Sequence, residues 1–247
     1  MKLTSLHIPT PHVTPELYLR VRQWLLEYDP DARTMLEWSE STAPPSTPEE
    51  MAGEIIWVIL CAGRSAQAAR TLMAKVRAAI ETGIPVVTVF GYRAKAAAID
   101  RAWRERDRDF AALQDVLRTG DVLRLLTWAK AIPFIGDDTQ YQLLKNFGIP
   151  CPKPDRWLAR LAGIPDKPRR PLEYRINACM ALCRLLADAS GDCIASVDSL
   201  LWLACNKGIL VTDSSAAPVQ FVERISAVRS IYLSHQPDLH SAKEKNQ

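Results

Sequence analysis

Only one run in this chain has the β-branched density of a strand, Ile84 to Phe90, IPVVTVF. A single strand has no partner, so helices must bury the apolar surface and the expected fold class is all-α. Helix starts and stops are legible along the chain. Thr47-Pro48-Glu49-Glu50 reads as a capping box with proline in the first turn, followed by the apolar helix MAGEIIWVILCAG, which ends at Gly63. Ser65 is placed to cap the next helix, AQAARTLMAKVRAAIET, which stops at Gly83. Further helices are expected near residues 14 to 28, 94 to 106, 108 to 118, 121 to 131, 137 to 147, 155 to 162, 171 to 189, 197 to 206 and 218 to 233.

Two proline-broken connectors, Ser39 to Thr47 (SESTAPPST) and Ile164 to Pro171 (IPDKPRRP), divide the chain into a central block and two flanks. From His240 onward, HSAKEKNQ holds too little apolar content to pack, and a disordered tail is expected. No apolar run approaches the roughly 18 to 20 residues of a membrane span, and MKLTSLHIPTPHVTPE lacks the apolar centre of a secretory signal. No membrane association and a cytoplasmic location are therefore expected. The six cysteines sit mostly in apolar helical patterns and form no CxxC pair, so no metal site is expected. A net charge of +3 confines any surface for a polyanion to a local patch.

That patch is sought in Ile132 to Arg160, IPFIGDDTQYQLLKNFGIPCPKPDRWLAR. Gly136 precedes a helix opening at Asp137 or Asp138, and such a turn directs unpaired amides and the positive helix end outward, toward one phosphate. Lys130, Lys145, Lys153, Arg156 and Arg160 flank the unit. Alone, the same string describes an ordinary tight turn between helices. Asp155 follows Pro154 and opens RWLARLAG, where aspartate is a favoured cap for its own sake.

IPFIG with Thr139 resembles the L-P-G-V-G-x-K-T hairpin of the helix-hairpin-helix DNA glycosylase superfamily, which contains endonuclease III and the 8-oxoguanine glycosylases. Phe147-Gly148-x-Pro150 followed by Asp155 and Arg160 is similar to that family's F-G-x-P-x-x-x-x-D-x-x-x-x-R continuation, and EIIWVILCAGRSAQAAR resembles the helix, loop and helix upstream. The likeness covers about residues 50 to 165, and KPDRWLARLA is closer to less characterised bacterial members. It implies a two-lobed helical fold: a lobe at 51–163 containing the helix-hairpin-helix at about 121–162, and a second lobe from 1–50 with 164–239. Two departures stand out. Asp138 occupies the position of the Schiff-base lysine of bifunctional enzymes, and the span from Gly136 to Asp155 is one residue shorter than in endonuclease III. The four-cysteine iron-sulfur loop is also absent, so no cofactor is implied beyond a monovalent cation at the hairpin.

The resemblance implies a monomeric, monofunctional N-glycosylase on double-stranded DNA, in a bacterial nucleoid, serving repair or defence against modified phage DNA. It would flip a damaged or modified base and hydrolyse its bond to deoxyribose with water assisted by Asp155, kept ionised by the helix amino terminus. A non-catalytic DNA-binding module is the alternative. DNA-backbone contacts fall on Pro133, Phe134, Ile135, Gly136, Thr139, Lys130 and Arg156. Arg64, Gln67 and Arg70 are the wedge or opposite-strand candidates, against a solvated helix start capped by Ser65. Asp198 and Trp202, four apart on one helical face, are candidates for the base pocket together with Trp57. Against that stand a core tryptophan and an aspartate in a first turn capped by Ser196.

Overall fold

The computed structural model describes residues 9–215 and 218–223. It is all-α, with strand limited among those residues to one short antiparallel pair. The elements in order are α1 (Pro15–Tyr28), α2 (Ala32–Ser41), α3 (Pro48–Cys61), α4 (Ala66–Glu81), α5 (Arg93–Arg104), α6 (Arg106–Thr119), α7 (Val122–Lys130), α8 (Thr139–Asn146), α9 (Arg156–Leu161), α10 (Leu172–Ser190), α11 (Ile194–Asn206), β1 (Leu210–Val211) and β2 (Gln220–Phe221). No helix of the described residues is long and apolar enough to cross a membrane.

Local chemistry accounts for most helix ends. Thr47 Oγ1 accepts from the Glu50 amide at 3.1 Å, while the Glu50 carboxylate reaches back to the Ser46 amide at 2.7 Å, closing a capping box one residue wider than the simple pattern. Ser65 Oγ accepts from the Ala68 amide at 3.3 Å. Gly120 and Gly191 terminate α6 and α10 in the left-handed conformation that a side chain disfavours.

Four expectations are corrected. IPVVTVF is not a strand: after Pro85 the chain makes a 3-10 turn at Val86–Thr88, and the Val86 amide donates to Asp100 Oδ1 at 3.1 Å. β-branched residues favour a sheet only where one exists to join. The connector expected from Ser39 begins later, because α2 runs to Ser41 along α11, with Ser39 Oγ donating to Ser199 Oγ at 3.1 Å. The segment expected as a helix at 218–233 instead pairs Gln220 and Phe221 with Val211 and Leu210, and its part from 224 onward, like the tail from His240, lies outside the described residues. Helix α11 starts at Ile194, not near 197, with Cys193 as its cap in place of Ser196.

The buried hydrophobics form two clusters. The first runs from Met51 to Cys151 and draws on α3 to α8. The second combines Val13 to Ala32 with Leu158 to Leu210, uniting α1 with α9, α10 and α11. Helix α10 serves both: Ala178, Cys179, Leu182 and Leu186 lie in the second cluster, while Leu172, Ile176 and Met180 pack on the first. The chain passes from one core to the other between Cys151 and Leu158, and Asp155 stands in that passage.

Gly148 closes the turn after α8 with φ 71°, and a Cβ there would lie 2.5 Å from the carbonyl oxygen of Thr42 in the connector crossing it. Gly148→Ala therefore combines backbone strain with a backbone clash. We expect a loss of roughly 1–3 kcal/mol in urea denaturation; unchanged stability would show that the connector does not lie against this turn.

Candidate functional site

Asp155 is the N-cap of α9, with extended backbone. Its Oδ1 accepts from the amides of Trp157 at 2.9 Å and Leu158 at 3.1 Å. Its Oδ2 takes no hydrogen bond from any described residue and is not among the sealed, unpartnered oxygens. One oxygen therefore anchors the side chain while the other has no protein partner among the described residues. Burial pushes the Asp155 pKa up, and nearby Asp198 adds to this, against the opposing pull of Lys153 and the two amides. Desolvation therefore outweighs the pull of the helix start on this carboxyl.

Asp138 is not a passive substitute for a lysine. Its Oδ1 accepts from Arg175 Nη2 at 2.8 Å, and Arg169 approaches Oδ2 at 3.6 Å. Arg175, buried in α10, also donates through Nη1 to the carbonyl of Pro154 at 2.6 Å, while its buried Nε has no partner. One guanidinium thus ties the start of α8 to the residue immediately before Asp155. Burial pushes the Cys179 thiol well up, and Asp198, Asp155 and Asp138 add to this against the pull of Arg175. Arg175→Met removes two charge-assisted bonds and is expected to cost roughly 1.5–3 kcal/mol. Asp138→Asn, which keeps an acceptor, should cost less in the same denaturation experiment. Equal losses would mean that the guanidinium bond to Pro154 contributes nothing.

The hairpin is more self-satisfied than its sequence suggested. The Gly136 amide donates to Thr139 Oγ1 at 2.7 Å, so neither group is directed outward as expected. Lys130 Nζ pairs with Asp137 Oδ1 at 2.8 Å on an exposed surface, a bond weak enough to exchange for a phosphate. The Ile135 amide donates to the Ile132 carbonyl, and Ile132 and Ile135 are buried. The amides of Asp137, Asp138 and Thr139 have no hydrogen-bond partner among the described residues and head α8. Arg156 is exposed and lies over the Trp157 ring at 4.7 Å. Arg160 is held by Asp166 through two bonds of 2.8 and 2.5 Å.

Arg64 leaves the end of α3 and stacks its guanidinium over Phe90 at 4.8 Å, while Gln67 is exposed and Arg70 half-buried on α4. Phe90 meets Tyr92, and Tyr92 meets Phe134 of the hairpin edge-on with ring centroids 6.1 Å apart. A wedge candidate and a hairpin candidate thus share one surface, through two aromatic residues that the sequence reading did not single out.

Of the pocket candidates, Asp198 is corrected. Asp198 is buried, and its Oδ2 receives Lys145 Nζ at 2.5 Å and the Lys153 amide at 3.3 Å, so it is committed to an ion pair and not offered to a base. Trp202 packs half-buried on the second core and Trp57 half-buried on the first. What the sequence missed is the polar seam between the cores. Lys145 and Asp198 pair across it, while within the first core Asn146 Nδ2 of α8 donates to the Glu54 carboxylate of α3 at 2.7 Å, and burial raises the Glu54 pKa. A lysine and an asparagine inside the apolar pattern of α8 were the available signal. Among the described residues no group of His, Cys, Asp and Glu is arranged to hold a metal ion, and the six cysteines are free. No protein-family profile, curated protein or solved structure matches the chain.

Proposed function

We propose that the chain is a monofunctional DNA N-glycosylase of the helix-hairpin-helix type, acting as a monomer on double-stranded DNA in the cytoplasm. The observation that carries this reading is the state of Asp155: one oxygen is fixed by two helix amides, the other is without a protein partner, and the backbone before it is clamped to the hairpin helix through Arg175 and Asp138. A carboxylate so held suits the cleavage of an N-glycosidic bond. As the bond between C1′ and the base nitrogen breaks, its electron pair leaves with the base and positive charge develops on the sugar. The free oxygen of Asp155 stabilises that charge and takes a proton from the water whose oxygen bonds to C1′. A raised pKa makes it a stronger acceptor, and places the acid limb of the rate profile above the ordinary aspartate range. With an aspartate held in an ion pair at position 138, no amine stands there to attack the sugar, which favours hydrolysis over strand cleavage.

The reading is tested by incubating the protein with defined lesion duplexes and with DNA carrying modified bases, and identifying released bases by mass spectrometry. Release that disappears in Asp155→Asn supports it. A non-catalytic DNA-binding module is favoured by one observation, that Asp155 already has a sufficient structural role as a cap. Binding without release, unchanged in Asp155→Asn, selects that second reading.

A further inference from the structure

Phe134 is the one residue other than glycine with a positive φ among the described residues, at 66°. This is a conformation that glycine adopts freely and a β-carbon resists. Burial does not explain the choice, because the ring remains 39% exposed. It stands edge-on to Tyr92, which is 52% exposed and itself meets Phe90 at 6.4 Å. Cations back this strip: Arg64 lies over the Phe90 ring, and Lys95 Nζ lies 6.0 Å from the centre of the Phe134 ring. Lys95 is locked in place by donating to the carbonyls of Ile59 and Ala62, both at 2.8 Å. Arg93, next to Tyr92, is exposed, and the segment from 84 to 95 contains no acidic residue. The two hairpin carboxylates are already paired, Asp137 with Lys130 and Asp138 with Arg175.

We propose that Phe134 and Tyr92 form a stacking platform for an unpaired base of DNA, with Arg64 and Arg93 meeting the adjoining phosphates. This rests on the DNA-binding part of the reading above, and it gives Phe134 a role in holding a base where the sequence assigned it to the backbone. Exposed aromatic faces interleaved with arginine are what a single unstacked nucleotide needs: a flat apolar surface for the base and fixed positive charge for the chain on either side. A strained, exposed ring is retained because its position serves the ligand.

The test compares the unaltered chain, Phe134→Gly and Tyr92→Leu in fluorescence-anisotropy titrations against two DNA probes, a fully paired duplex and the same duplex with one unpaired nucleotide. Phe134→Gly removes the ring while relieving the backbone, so its folding is not at risk, and Tyr92→Leu keeps apolar bulk without the aromatic face. Each variant is expected to bind the unpaired-site duplex about tenfold more weakly, with a much smaller loss on the paired duplex. Unchanged affinity for the unpaired site, or equal losses on both probes, overturns the stacking platform and leaves the DNA reading standing. Failure of the unaltered chain to bind either probe overturns both. Loss of self-association in sedimentation, with DNA affinity unchanged, would show a protein interface instead and equally overturn the proposal.

Discussion

Asp155→Asn is expected to lower base release at least about a hundredfold and, in the same molecule, to raise stability at neutral pH. The first effect follows because an amide neither accepts the proton of water nor offsets positive charge on the sugar. The second follows from the sign of the pKa shift. Burial raises the folded-state pKa of Asp155 above its ordinary value, so the folded protein resists the charged form. The stability associated with the protonated carboxyl is fully present below the ordinary aspartate pKa and is lost as pH rises through the folded pKa. Asparagine caps a helix about as well as aspartate and carries no charge to desolvate, so it keeps the bonds to Trp157 and Leu158 without the penalty. Thermal midpoints of the two proteins should therefore coincide in acid and separate as pH rises between the ordinary and the raised pKa, with the variant higher. A variant that is less stable at neutral pH would show that the carboxylate serves the fold as a charged cap. Retained base release would remove Asp155 from the chemistry.

Breaking the Lys145–Asp198 pair is expected to produce the largest loss of stability, roughly 3–5 kcal/mol for Asp198→Ala. Both side chains are almost wholly buried, one from each side of the seam, and Asp198 also accepts from the Lys153 amide. Removing the carboxylate leaves an ammonium in the interior with only a 3.5 Å approach to Ser199 Oγ, and such an uncompensated charge is far costlier than the pair was favourable. The double replacement Lys145→Met with Asp198→Leu should recover much of that loss, because two apolar side chains need no counter-charge. Denaturation of the three proteins separates the cases. A double replacement no more stable than Asp198→Ala would mean that the stranded ammonium is not the source of the loss. Removal of Asp198 also removes a charge that raises the Asp155 pKa, so the acid limb of base release should move downward in Asp198→Asn.

Several elements were readable because their determinants are local. Thr47, Ser65 and Asp155 each bond amides within three residues of themselves, and Gly120 and Gly191 end helices through their own backbone conformation. Helix α2 was hidden because its reason for existing is distant: it lies along α11, and Ser39 finds Ser199 there. IPVVTVF misled for the converse reason, since its residues suit a sheet that the rest of the chain does not supply. The site divides the same way. Asp155 was found at its helix start, but the partner of Asp198 is 53 residues away, and the partner that ties Asp138 to Pro154 sits on α10.

By itself, then, the sequence determined the all-α class, the positions of most helices, and the two segments, a hairpin and an acidic cap, around which the functional reading is built. Helix propensity, capping and glycine turns act over a few residues, and are written in the order in which they act. Tertiary structure alone decided which carboxylates are free. Asp198, Asp138 and Asp155 look alike in the chain, yet one is neutralised by Lys145, one is clamped by Arg175, and Asp155 is held by two backbone amides with no ion pair among the described residues. Desolvation and pairing depend on what the fold brings within a few ångströms, and that is set by the meeting of two cores.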